Sequence, residues 1–175
     1  DQPRSRGLGD VYKRQVSNDP LVRLVTLLID LEPADVENRV QALRFSRREV
    51  TTVVDLVRII KKISSGPPGG SWSAENVRRL VVDSGALLGV AVDLAVALHR
   101  DTGGLAVAME QSVTPGDLED LGPVLNGDQV MAALALDPGP QVGEALAWLV
   151  DLRLREGELS IEDAQGRLVD WWQNR

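Results

Sequence analysis

Cysteine is absent from the 175 residues. That excludes disulfides, thiolate nucleophiles and Cys-ligated zinc or iron–sulfur centres in one step. Histidine occurs once, at His99. A Ser-His-Asp site would have to use it, and a metal site built from several histidines is impossible. No apolar run reaches the roughly 18 residues needed to span a bilayer. The N-terminus lacks the apolar core of a secretory signal. Strand signals are also scarce: no long stretch alternates apolar and polar, and no Asn-Gly turn joins two alternating runs. These absences predict a soluble, cytoplasmic, all-α protein with no membrane partner.

What is present has globular proportions, with 43% hydrophobic and 26% charged residues. The net charge of −7 is unevenly spread. Residues 1–15 hold four basic and two acidic residues, and residues 16–80 hold ten basic and eight acidic. Residues 81–175 hold five basic and sixteen acidic, a net of −11. A pI near 4.8 argues against a general nucleic-acid binder, and no DNA partner is expected. The first half still has room for a local basic patch.

Residues 1–15 (DQPRSRGLGDVYKRQ) have no apolar periodicity. The string GLGDVYKRQ resembles translated sequencing-adapter read-through. The segment is expected to be a non-native, disordered leader replacing a missing upstream part. An ordinary disordered leader is the alternative.

From there the chain reads as about eight or nine short helices. Asn18 or Asp19 with Pro20 opens the first, and its apolar residues cover most of the circumference, which predicts burial. Pro33 opens the second, with Val36, Val40 and Leu43 on one face. Ser46 to Glu49 fits the capping box S-x-x-E. Behind it Val50, Val53, Val54, Val57 and Ile60 form one stripe, and the Ser-Gly-Pro stretch from Ser64 to Ser71 ends the helix. A helix from Ser73 to about Ser84 should end on Gly85. Ala86 to His99, apolar except for Asp93, reads as a central buried helix. Leu105–Gln111 is a further short helix, and Thr114–Leu125 is mostly loop. Asp128–Leu136, Pro140 to about Glu156, and a last helix opened by Ser160 and Asp163 complete the chain. The expected division is a helical body over 16–112 and a smaller helical tail over 113–175.

Residues 125–157 read LNGDQVMAALALDPGPQVGEALAWLVDLRLREG. Gly127-Asp128, Val130-Met131, Pro138-Gly139-Pro140 and Val142-Gly143 lie in register, before an apolar helix ending in Gly157. This pattern resembles the C-terminal RNA-binding region of the bacterial tRNA nucleotidyltransferase / poly(A) polymerase family, which includes the CCA-adding enzymes. Two segments agree more loosely: Leu43-Arg44-Phe45-Ser46-Arg47-Arg48-Glu49, and Trp72 followed by Val77-Arg78-Arg79-Leu80. The resemblance covers residues 20–173. It implies the family's all-helical body and tail, with tRNA or another RNA 3′ end as partner.

The family's catalytic loop Gly-Gly-x-Val-Arg-Asp and its Asp-x-Asp pair do not occur in the sequence. Those carboxylates hold two metal ions for attack of an RNA 3′ hydroxyl on a nucleotide. The nucleotide-selecting neck is not identifiable either. The resemblance therefore implies no cofactor here; Mg and CTP or ATP belong to the parent enzyme's head. Some members also carry a Leu-Leu-His-Asp phosphohydrolase signature. The matching residues are Leu27-Leu28-Ile29-Asp30, and isoleucine cannot bind a metal.

Candidate phosphate contacts are Arg44, Arg47, Arg48, Arg58, Lys61 and Lys62, and separately Arg78 and Arg79, expected in a helix first turn where the macrodipole disfavours cations. Arg47, Arg58, Lys61 and Lys62 share one polar sector at about 100° per residue. The bland alternative is a solvated helix face. Gly139, Pro140 and Gly143 open a helix whose free N–H groups suit a phosphate; a tight packing turn is the alternative. Of Trp72, Trp148, Trp171 and Trp172, at most one is expected to stack on a base. Trp148 reads as core, and Trp171-Trp172 as holding down the last helix. His99 sits near a helix C-terminus, where a cation is favoured. Asp117, Glu119 and Asp120 read as a solvated loop rather than a metal site. The leading expectation is an RNA-positioning fragment of a nucleotidyltransferase. The alternative is a helical protein–protein interaction module.

Overall fold

A computed structural model describes residues 19–67, 69–111 and 121–175. Among them the fold is all-α: nine α-helices and one 3-10 turn. The leader, Asn18, and the loop residues Asp117, Glu119 and Asp120 lie outside the described residues. The chain divides into two compact units, Asp1–Trp72 with Asp83–Ala106, and Ser73–Val82 with Val107–Arg175. Ser73–Val82 thus groups with the C-terminal residues rather than with its neighbours in sequence.

The first unit is organised by its longest helix. Helix α1 (Pro20–Leu28) starts where Asp19 accepts the Leu21 N–H at 2.8 Å and Pro20 fills the first position. Helix α2 (Pro33–Ala42) also begins on proline and buries Val36 and Val40. Helix α3 (Arg47–Ser65) carries the expected capping box, with the Ser46 N–H donating to Glu49 Oε2 at 2.8 Å. It buries Val50, Val53, Val54, Leu56, Val57, Ile59, Ile60 and Ile63. That stripe meets α1, α2 and α5 (Leu88–Ala97), so α3 is the central helix. At roughly 25 cal/mol per Å², burying apolar chains such as these supplies most of the stabilisation.

The segment expected to be central is only partly buried. Helix α5 buries Leu88, Ala91, Leu94 and Ala95, while Val96 is 54% exposed. Helix α4 (Ala74–Ser84) does not stop at Gly85. With φ +50, that residue passes into a 3-10 turn (Gly85–Leu87) that leads straight into α5. Ala74–Ala97 is thereby one 24-residue helical stretch with a mean hydropathy of 1.9 in its most apolar window. By length and composition it is apolar enough to cross a membrane, which corrects the expectation that no run is. A third of that window is buried within the fold. Helix α1 is also less buried than its circumference suggested: Val22 and Val25 are inside, and Leu27 is 80% exposed.

The second unit is built on α7 (Gly127–Leu134), α8 (Pro140–Glu156) and α9 (Ile161–Gln173). Leu125, Val130, Val142, Ala145, Leu149, Ala164 and Leu168 form its core. Asn126 and Gln129 make a second capping box, each side chain bonding the other's N–H at 2.9 Å. Ser160 caps α9 by accepting the Asp163 N–H. The remaining helix, α6 (Leu105–Gln111), buries Leu105 and Ala108.

Candidate polyanion-binding surface

The eight cations singled out in the sequence fall into three groups. The first surrounds the junction of α2 and α3. Helix α2 stops at Leu43, and Arg44 turns the chain with φ +62, its N–H bonding the Gln41 carbonyl at 2.9 Å. A left-handed conformation costs a non-glycine residue about 1 kcal/mol. Such strain concentrates at functional sites. Ser46 then caps α3, which places Arg47 and Arg48 in its first two positions. Both face the positive end of the helix macrodipole, where a cation is disfavoured and an anion is welcome. Arg44, Arg47 and Arg48 are exposed, and among the described residues none has a carboxylate partner. Arg39, in the last turn of α2, shares both properties. Glu49 offers them little compensation. The Ser46 hydroxyl and backbone bonds hold its carboxyl below the usual range and commit it to the cap.

The second group is at the other end of α3, roughly 20 Å away at 1.5 Å per residue. Here every cation has a carboxylate. Arg58 pairs with Asp55 at 3.2 Å, Lys61 with Glu32 at 2.6 Å, and Lys62 with Asp83 at 2.6 Å. The single polar sector predicted for these residues is thus two environments, one uncompensated and one neutralised.

The third group serves the second unit's own structure. Arg78 is 5% exposed. Its Nε donates to the Leu154 carbonyl and its Nη2 to the Arg155 carbonyl, both at 2.9 Å. It caps the C-terminus of α8, where four carbonyls lack helical partners and the dipole favours a cation. Its guanidinium lies against Gly157, where a Cβ would come within 3.2 Å of Nη1. A buried guanidinium with its donors engaged cannot reach a phosphate, so Arg78 leaves the candidate surface. Arg79 bonds Asp151 at 2.6 Å and Glu75 at 3.0 Å. Asp151, then Glu75, raise the Arg79 pKa, and Arg79 holds the Asp151 carboxyl below its ordinary value.

Gly139, Pro140 and Gly143 are exposed at the start of α8, and a Cβ at Gly143 would meet nothing within 4 Å. The turn is open to a large ligand. Pro140 has no N–H, and the Val142 N–H already bonds the Gly139 carbonyl at 3.1 Å. No cation lies in this first turn, and Glu144 behind it pairs with Arg175 at 2.9 Å.

Trp72 is buried and donates its indole N–H to the Thr102 carbonyl at 3.0 Å. Trp148 stacks on Trp171 with centroids 4.8 Å apart, and both pack against the second core. Trp172 meets Trp171 edge-on, with the Arg175 guanidinium 4.3 Å from its ring centre. These contacts tie α9 to α8. His99 is exposed in a left-handed turn after α5. No cluster of three or more histidine, aspartate or glutamate side chains with metal-binding geometry occurs among the described residues.

Sequence reasoning overlooked Arg39, although its position five residues before Arg44 was visible. It also missed the Asn126–Gln129 capping box, which N-x-x-Q advertised. Compared with family models, curated proteins and solved structures, the chain finds no match.

Proposed function

We propose that this chain binds the phosphate backbone of folded RNA through the α2–α3 junction. One observation carries the reading: Arg39, Arg44, Arg47 and Arg48 lie within ten residues, exposed and uncompensated by any carboxylate among the described residues. Among the described residues, Arg47 and Arg48 stand unpaired in the first turn of α3, where the macrodipole disfavours a cation, and Arg44 and Arg39 bring two more unpaired guanidiniums from the turn and from the end of α2. Phosphates compensate them through bidentate, charge-assisted hydrogen bonds. The charge distribution agrees. Without residues 1–15 the first unit holds 9 basic and 10 acidic residues, whereas the second holds 6 basic and 14 acidic. The second unit therefore repels a polyanion much more strongly than the first.

The motif pattern of residues 125–157 supports a narrower version. In it the chain is the RNA-holding part of a tRNA nucleotidyltransferase or poly(A) polymerase. It positions a tRNA 3′ end for a catalytic head whose motifs this sequence does not contain. Positioning of this kind lowers the barrier without any chemistry in the positioning module. The exposed Gly139–Gly143 turn leaves space for an RNA backbone beside α8.

The test is a fluorescence anisotropy titration of the full chain with labelled tRNA and with duplex DNA of similar length. RNA binding that weakens at least tenfold in the variant with all four arginines changed to alanine is the expected result. Equal binding by wild type and variant would refute the surface. A second reading, a helical protein–protein module, draws on exposed Leu27, Leu43 and Val96. It predicts no RNA complex at any salt concentration.

A further inference from the structure

The paired end of α3 borders a cleft of about 520 Å³, within the first unit. Lys61, Lys62 and Arg100 line it, with Asp30, and Ile29 and Ile60 supply apolar wall. Ser64 and Ser65 complete the lining. The cations arrive from separate places in the chain. Lys61 and Lys62 come from the last turns of α3, and Arg100 follows α5. We infer that this cleft binds a small phosphate monoester, with the phosphate among Lys61, Lys62 and Arg100 and the ester group against Ile29 and Ile60.

Three features carry the inference. The first is charge: three cations converge on the cleft, each paired with a carboxylate, so a dianion binds by taking the place of those carboxylates. The second is how loosely those cations are held. Lys61 pairs with Glu32, Lys62 with Asp83 and Arg100 with Asp30, and the three carboxylates are 76%, 58% and 83% exposed. Solvent-facing ion pairs are worth roughly 0–1 of the kcal/mol scale each, so a dianion displaces them at small cost. The displaced carboxylates return to water without being buried. The third is Ser64, whose Oγ is buried without a hydrogen-bond partner. A buried hydroxyl without a partner beside the cleft is satisfied by a bridging water or by a rotamer change that presents it to a ligand. The volume lies within the range of small-ligand pockets.

The site is separate from the arginine surface. It sits at the opposite end of α3 and recognises a compact anion rather than a backbone. A terminal phosphate of RNA offers the same chemistry as a free ester, so the experiment includes both.

The experiment follows amide shifts of the full isotopically labelled chain by NMR during titration. The probes are phenyl phosphate, inorganic phosphate, phenol as the uncharged control, and a short RNA bearing a terminal phosphate. Saturable shifts centred on Lys61–Ser65 and Arg100 are expected with phenyl phosphate, weaker ones with inorganic phosphate, and none with phenol. Lys61→Ala and Arg100→Ala each weaken binding about tenfold, the worth of one charge-assisted bond. Arg100→Lys, which keeps the charge, recovers part of the loss. The Arg47→Ala/Arg48→Ala variant loses the RNA surface and keeps the phenyl phosphate shifts, so the two sites fail separately. Saturation by phenyl phosphate alone assigns a free ester, and saturation by the RNA end as well assigns the shared phosphate chemistry. Absence of saturable shifts in wild type overturns the inference. So do shifts that phenol reproduces, or that survive the Lys61→Ala/Arg100→Ala double substitution.

Discussion

Replacing Arg78 with alanine separates a structural arginine from a ligand-binding one. Its guanidinium bonds two carbonyls at the end of α8, 76 and 77 residues away in the chain, and is itself 5% exposed. Alanine leaves both carbonyls without their donor in a site that water reaches poorly. A hydrogen bond to a charged group contributes about 1.5–3 kcal/mol, and an orphaned buried acceptor costs about 1–3 kcal/mol. Loss of the favourable dipole interaction adds up to about 1 kcal/mol. These contributions overlap, so the expected net destabilisation is about 3 kcal/mol. Arg79 sits next to it and makes two ion pairs, but its side chain is 38% exposed. Its replacement by alanine should cost about 0.5 kcal/mol. Urea unfolding read by tryptophan fluorescence is the assay, since Trp148, Trp171 and Trp172 all report on the second unit. Arg78→Lys should recover less than half of the loss, because one ammonium does not reproduce the two-pronged geometry. RNA affinity should be unchanged in all three variants. Arg78→Ala costing no more than Arg79→Ala, or weakening RNA binding without loss of stability, would refute the capping argument.

Other expectations follow from the same contacts. Leu149→Ala, at a fully buried position in the second core, should destabilise by about 2–5 kcal/mol in the same unfolding assay. Ser46→Ala removes the cap of α3 and should cost about 1 kcal/mol, lowering the thermal midpoint seen by circular dichroism. Asp151 has a folded pKa depressed by Arg79, so its contribution is present above the unfolded value near 4 and is lost as pH falls through the lower folded value. Asp151→Asn should therefore flatten the acid limb of the stability–pH curve below about pH 4 and leave the neutral region nearly parallel. An acid limb identical to wild type would count against that pair.

Helix starts were legible because capping is local. Asp19-Pro20, Ser46 with Glu49, Pro140, and Ser160 with Asp163 each declare a first turn within four residues. Burial was less legible. Periodicity says that a residue is apolar, not whether another helix covers it, and Leu27 and Val96 are left uncovered. Gly85 read as a stop because glycine adopts positive φ easily. It does adopt it, yet the chain continues through a tight turn. The cations show the limit most clearly. Arg44, Arg47, Lys61, Lys62 and Arg78 look alike in sequence. Their difference lies in partners far along the chain: Glu32 for Lys61, Asp83 for Lys62, and the end of α8 for Arg78. The cleft was invisible for the same reason, since Arg100 meets Asp30 across 70 residues.

The salt dependence of RNA binding, measured on the full chain, tests the arginine surface most directly. Each phosphate contact contributes about 0.7–0.9 to the slope of log affinity against log salt. The account predicts that Arg47→Ala/Arg48→Ala makes the slope shallower by roughly 1.5 and that Arg78→Ala leaves it unchanged. A slope identical in wild type and the double variant, or an affinity indifferent to salt, would contradict it.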